Sequence, residues 1–252
     1  MVRVTCVELP DSLDLLTWGK LVIYLEREGS ELLLLNEMPA YPWIAYREEY
    51  DPVLGREAVS VHEDFLEKIG NLGLPVVASR PVMEGDNLYN EAFLIEKHSY
   101  TPVHTKHYFP NEEGFYEARW FKRKNGDFKA FEIGELRTGV MLCTDLWFSE
   151  YARSYGKQGA HVIFVPRATG TASLDSWMVG LRHAAIVSGA YVVSSNRSGK
   201  NMWNDFAGHG CIIDPDGEVL GVTSRDEPFI TIDIDTEYAE LAKKFYPRYV
   251  AE

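Results

Sequence analysis

Cys143 ends the apolar run Gly139-Val-Met-Leu142 and precedes Thr144-Asp145-Leu-Trp-Phe-Ser-Glu150, so it stands where a strand should give way to a helix. Such a turn exposes the side chain at the strand end and aims helix N–H groups at it, a setting that lowers a thiol pKa and favours the thiolate. The chemistry this predicts is nucleophilic attack on a carbonyl carbon. Cys6 and Cys211 alternate with apolar neighbours inside strand-like runs and read as packing. Taken alone, Cys143 admits that plainer reading too, since a free cysteine is usually a small buried apolar residue.

Three more charged residues sit where chemistry needs them. Glu37 follows Leu32-Leu-Leu-Leu-Asn36, a run apolar enough for a buried strand, and Met38-Pro39 ends it. A carboxylate at the end of a buried strand is partly desolvated, as suits a general base, although a loop carboxylate capping a backbone N–H would look the same. Lys106 lies in His104-Thr-Lys-His-Tyr-Phe-Pro110 and Glu117 in Gly114-Phe-Tyr-Glu-Ala-Arg-Trp-Phe121. Charges set among so many aromatics are either paired with one another or functional, and the two readings are compatible. Arg167 follows the apolar run 162–165 and Pro166, from where it could reach a pocket and take a substrate carboxylate as a bidentate donor; a structural ion pair is the alternative. Trp43, Trp147 and Trp203 either narrow that pocket or pack in the core.

These residues need a frame. Short runs rich in Val, Ile and Leu at 2–7, 32–35, 76–78, 92–95, 139–142, 162–165, 191–194, 211–213 and 229–232 read as strands of a sheet buried on both faces. Helices are predicted over 13–28, 59–71, 149–158, 173–187 and 237–245, with Gly29, Gly159 and Gly189 where helices should stop. Asp214-Pro-Asp-Gly217 predicts a tight hairpin turn. The alternation gives an α/β class, layered with helices outside and sheet inside.

Composition bounds the rest. The chain has 252 residues, 46% of them hydrophobic, enough for a sizeable core, and nothing in it resembles a linker or repeat, so residues 1–252 read as one domain. A formal net charge of -13 repels phosphate backbones and anionic lipid, which argues against nucleic acid and membrane surfaces as partners. Residues 1–10 carry Glu8 and lack the cationic start of a signal peptide, and no transmembrane segment is predicted. Three widely spaced cysteines suggest neither a disulfide framework nor a metal site, so a reducing cytoplasm is the expected compartment.

In order, Asn36-Glu37-Met38-Pro39, Lys106-His-Tyr-Phe-Pro110 and Leu142-Cys-Thr-Asp145 resemble the nitrilase, or carbon-nitrogen hydrolase, superfamily, in which a Glu, a Lys and a Cys arrive at three strand ends. Phe115-Tyr-Glu-Ala-Arg-Trp-Phe121 looks like the family's further acid before an aromatic turn. Arg182-His-Ala-Ala-Ile186, Ser195-Asn-Arg-Ser-Gly199 and Gly208-His-Gly-Cys-Ile-Ile-Asp-Pro-Asp-Gly217 are similar to its later helix, strand and hairpin. The chain departs from the pattern at Trp147-Phe-Ser149, where arginine and proline are common, at Cys211, and before Lys106, where a glycine turn and a Tyr-Arg pair are usual.

The resemblance implies a four-layer α-β-β-α sandwich forming a homodimer or larger homo-oligomer, for which the aromatic tail 245–250 would suit. It also implies hydrolysis of a small amide or N-carbamoyl compound through a thioester on Cys143. Glu37 would be the base, Glu117 the orienter of Lys106, and Lys106 with the Thr144 N–H the oxyanion donors. Trp147 and Arg167 join Thr144 as expected substrate contacts. Thr144-Asp145 resembles amide-cleaving rather than nitrile-cleaving members. No metal or organic cofactor is required by such chemistry. Nitrile hydrolysis, acyl transfer to an amine, a redox-sensing Cys143 and a non-catalytic amide-binding scaffold are the other readings.

Overall fold

Period-two alternation along the apolar strands separates their side chains into distinct layers. The computed structural model of the chain describes residues 1–124, 126 and 128–251. Its strands are β1 Val2–Pro10, β2 Leu32–Leu34, β3 Val76–Glu84, β4 Asn87–Glu96, β5 Ser99–Thr105, β6 Phe131–Ile133 and β7 Leu136–Val140. They continue as β8 Val162–Arg167, β9 Tyr191–Lys200, β10 Asp205–Ala207, β11 Cys211–Ile213, β12 Val219–Val222 and β13 Phe229–Ile234. The helices are α1 Leu15–Glu28, α2 Pro52–Gly70, α3 Glu117–Trp120, α4 Ser149–Lys157, α5 Leu174–Ser188 and α6 Thr236–Ala242.

One half of the sheet runs β13-β1-β2-β3-β4-β5 and the other β9-β8-β7-β6, with β10 and β11 also on β9. β1 belongs to both. It pairs with β2 over Val4–Cys6 and then, one turn of pleat later, with β9 over Glu8–Pro10. Val4, Leu34, Val77 and Leu94 from one half meet Val140, Phe164 and Val193 from the other in a core between the halves. Their alternates divide. Val7, Leu33, Val76 and Phe93 pack under α1 and α2, whereas Met141, Ile163 and Val192 pack under α4 and α5. Three apolar interfaces between four layers make the α-β-β-α sandwich, and each interface follows from which way alternate side chains point.

All nine predicted strands form, several longer than their apolar stretches. β5, β6, β10 and β12 are not among the nine: the first three are short or polar, and β12 is the strand beyond the predicted Asp214–Gly217 hairpin turn. The helix predicted from residue 59 instead begins at Pro52, where the Asp51 carboxylate accepts from the Val53 and Leu54 N–H groups. The hairpin over Asp214–Gly217 closes through a Gly217 N–H···O=C Asp214 bond of 3.0 Å. No described helix is long and apolar enough to cross a membrane.

Strands β1, β2, β3, β7, β8 and β9 pair in parallel within their halves, and the antiparallel meander β3-β4-β5 returns β5 to the same direction. The C-terminal ends of β2, β5, β7 and β8 therefore open on one edge, and the segments that follow them carry Glu37, Lys106, Cys143 and Ala168. Ends of parallel strands are where side chains can leave a sheet without breaking its ladder, which is why α/β sites gather there.

Candidate active site

Glu37 lies one residue beyond Asn36, with its backbone N–H on the Arg167 carbonyl at 3.3 Å. Met38 then takes a left-handed φ of 46°, a costly conformation for a side chain that is not glycine. Arg197 holds that bend in place. Its Nη2 donates to the Glu37 carbonyl at 3.1 Å and the Met38 carbonyl at 2.6 Å, while Nη1 donates to the Asp11 carboxylate at 2.7 Å. The Glu37 side chain is wholly buried. Its Oε1 accepts from Asn90 Nδ2 at 2.7 Å and from Lys106 Nζ at 2.8 Å, and its Oε2 has no hydrogen-bond partner among the described residues.

Lys106 is also fully buried, and β4 fixes its height through a Lys106 N–H···O=C Asn90 bond of 2.9 Å. Its ammonium donates to both oxygens of Glu117, at 2.8 and 2.7 Å. Burial alone would lower the lysine, but Glu117 and Glu37 together raise it well above the ordinary value. Burial pushes the Glu117 carboxyl up, Glu37 adds to the push, and Lys106 opposes it. Both Glu117 oxygens accept from Nζ, as only an ionised carboxylate does, so the upward push reflects the cost of two buried carboxylates sharing one ammonium.

Cys143 has a left-handed φ of 48° and opens a five-residue 3₁₀ turn, Cys143–Trp147, rather than an α-helix. Burial raises its thiol pKa, with Glu37 and Glu117 adding to the effect and Lys106 and the Ala168 N–H opposing it. The expectation of a thiolate stabilised by a helix N-terminus is therefore corrected. A single 3₁₀ turn has little dipole, and two buried carboxylates outweigh it, so the resting group is the thiol.

Asp145 ties two strand ends together. Oδ2 accepts from the Leu142 N–H at 3.1 Å and His104 Nε2 at 2.8 Å, and Oδ1 accepts from the N–H groups of His107 and Tyr108 at 3.1 and 3.0 Å. The residues on either side of these donors are Cys143 and Lys106. Asp145→Asn should lower stability by about 2–4 kcal/mol, because an amide nitrogen turned toward two N–H donors leaves them unsatisfied. Urea unfolding of the two proteins measures this, and equal midpoints would show that the carboxylate is not needed.

A cavity of about 190 Å³ opens above the cluster, lined among others by Glu117, Cys143, Thr144, Trp147 and Trp177. The geometry thus brings Glu37, Lys106, Glu117 and Cys143 together, with Thr144 and Trp147 at the wall. Arg167 is a correction. It is fully buried, and it spends its donors on Ser194 Oγ at 2.7 Å, Thr169 Oγ1 at 3.2 Å and the His209 carbonyl at 3.0 Å. It lies outside the lining, which holds no arginine among the described residues. Trp43 and Trp203 lie outside it as well: Trp43 is buried on the Gly114 carbonyl and Trp203 stacks on Tyr46. The second tryptophan of the wall is Trp177, its ring 4.9 Å from that of Trp147. Asn90 and Arg197 shape the site without having been singled out for it, because their partners are distant in sequence, whereas the sequence marks Asp145 only as a feature of amide-cleaving members and not as the tie between two strand ends.

Comparison with known proteins agrees with this architecture. The model of the carbon-nitrogen hydrolase family matches residues 12–244. N-carbamoylputrescine amidase of Solanum tuberosum is 27% identical over 244 residues, covering 88% of this chain and 80% of that protein. 2-Oxoglutaramate amidase of Bacillus subtilis is 32% identical over 117 residues, which span 46% of this chain and 45% of that protein. Among solved structures, a carbon-nitrogen hydrolase from Helicobacter pylori G27 superposes with a TM-score of 0.86 at 21% identity, covering 98% of this chain and 94% of that one. With a family match across most of its length and a fold to go with it, this chain belongs to the carbon-nitrogen hydrolase family.

Proposed function

We propose that the chain, acting as one domain over residues 1–252, hydrolyses a small amide or N-carbamoyl compound through a thioester on Cys143. The observation that carries this reading is the buried Glu37 Oε2, which has no partner among the described residues and lies in the cluster whose charge acts on the protonated Cys143 thiol. A base with a free lone pair next to a thiol that keeps its proton is the arrangement for deprotonation coupled to attack.

In the first half-reaction Glu37 takes the thiol proton as the Sγ–C bond forms, and the carbonyl oxygen becomes an oxyanion. Lys106 Nζ and the Thr144 N–H are the donors for it. Two of the three lysine contacts go to the oxygens of one carboxylate, so one can turn to the oxyanion while Glu117 keeps the ammonium in place. The tetrahedral centre then collapses, the C–N bond breaks, and Glu37 returns its proton to the departing ammonia. Glu37 next removes a proton from water as that water attacks the thioester. The C–S bond breaks, the acid leaves, and the proton returns to sulfur.

The test is to mix enzyme with a short primary amide, quench in acid, and measure intact and peptide masses. A mass increase equal to the acyl group, confined to the Cys143 peptide and released by hydroxylamine, is the expected result. Acid product with no acylated Cys143 at any quench time, and no hydroxamate when hydroxylamine is present during turnover, would sink the covalent route.

Three unpaired cysteines also support a reducing, cytoplasmic setting. The exposed Phe245, Tyr246 and Tyr249, on a tail anchored by Arg248 to the Ile186 carbonyl, support assembly into a homo-oligomer.

A further inference from the structure

The cavity above Cys143 has a charge of its own. Its described lining contains no lysine, arginine or histidine, and its charged members are Glu117, which is committed to Lys106, and Glu112. Among the described residues no cation pairs with the Glu112 carboxylate. The guanidinium of Arg167 lies behind Trp177 with its donors spent on Ser194, Thr169 and the His209 carbonyl, that of Arg197 is spent on Asp11 and the Glu37 and Met38 carbonyls, and the catalytic cluster below holds two carboxylates against one ammonium.

Glu112 is presented on a built turn. Glu112 and Phe115 exchange backbone hydrogen bonds, Phe115 N–H to Glu112 O at 2.9 Å and Glu112 N–H to Phe115 O at 3.3 Å. Gly114 between them has a φ of 79°, and its carbonyl accepts from Trp43 Nε1 and Asn204 Nδ2, each at 3.0 Å. A Cβ at Gly114 would come within 2.7 Å of Asn204 Nδ2, so the turn is held at both the backbone and the packing level. Phe115, Trp147 and Trp177 supply aromatic surface to the same cavity.

An exposed carboxylate with no cation paired to it among the described residues, beside aromatic walls, makes a site for a positively charged group. A substrate carboxylate would meet Glu112 there and find nothing to neutralise it. The cavity is about 190 Å³, and Glu112 and Cys143 both line it, so one small substrate can meet both. We propose that Glu112 is a specificity-determining residue, selecting short amides that carry an ammonium group at the end opposite the scissile carbonyl. This rests on the amidase reading above and names its substrate class.

The probes are three five-carbon amides of matched length: 5-aminopentanamide, pentanamide and the monoamide of glutaric acid. Their kcat/KM values should fall in the order cationic, neutral, anionic at neutral pH. In Glu112→Gln the ratio of cationic to neutral should drop by about tenfold, mainly through KM, as expected for a charge-assisted contact at a partly open mouth. A ratio that does not change in the variant, or a wild-type preference for the anionic amide, overturns the proposal while leaving the amidase reading intact. If the wild type cleaves none of the three, calorimetric titration of Cys143→Ala decides. Tighter binding of 5-aminopentanamide than of pentanamide, lost in the double variant with Glu112→Gln, supports the selectivity even though the amidase reading has failed. Equal binding, or none, overturns it.

Discussion

Cys143→Ala should lower ammonia release from any amide the wild type cleaves by a factor on the order of 10⁴–10⁶, the scale on which losing a covalent nucleophile acts. The protein should still fold. Cys143 packs with Leu146, Val165 and Ala185 in the interface under α4 and α5, and losing one sulfur there costs about 1 kcal/mol. Burial and the nearby carboxylates already hold the thiol protonated, so Cys143→Ser should be nearly as inactive. Its hydroxyl gives up a proton even less readily to the base proposed here, Glu37. Ammonia release by wild type and both variants, with circular dichroism to match their folding, measures this. Retention of more than a hundredth of wild-type turnover by Cys143→Ala would remove the thiol from the reaction.

The layers were legible because burial writes itself into alternation. Leu32 and Leu34 face one core and Leu33 and Leu35 the other, and both sets are apolar for that reason. β5 was not legible, since Ser99, Thr101 and Pro102 at the sheet edge are exposed and carry no such pattern. Lys106 at its end could then be placed only by its aromatic neighbours and by family resemblance. The start of α2 was written in Asp51-Pro52, but Gly55, Arg56 and Glu57 dilute the apolar period there, and the helix was read from residue 59 onward.

The site divides along the same line. Residue type and strand-end position identified the four residues that meet. What they experience there comes from afar. The Glu37 carboxylate is held by Asn90, 53 positions away, and its carbonyl by Arg197, 160 positions away. The charge of Cys143 is likewise decided by burial and by Glu37 and Glu117 rather than by the turn in which it sits. Arg167 fails as a substrate contact for this reason too: the strand end was visible, but Ser194 and the His209 carbonyl, which draw the side chain inward, lie on segments far along the chain.

Lys106→Met should cost both turnover and stability. Removing one oxyanion donor typically lowers turnover by about 10²–10³. Removing one partner of a buried ion pair typically costs about 3–5 kcal/mol, because the remaining charge is left uncompensated, and here Glu37 and Glu117 would face each other without the ammonium between them. The pH dependence separates this from simple loss of packing. In the wild type Lys106 is raised in the folded state, so its contribution is fully present below the ordinary lysine range and is lost only as pH rises through the folded value. In the variant a buried carboxyl must hold a proton to remain folded. Its folded pKa is then raised, and its penalty grows as pH rises above the unfolded carboxyl value of about 4.3. Urea unfolding should therefore show a deficit that is large at neutral pH and shrinks toward pH 4. A deficit independent of pH would mean that the methionine merely packs badly, and no deficit at all would mean that the two carboxylates do not depend on Lys106.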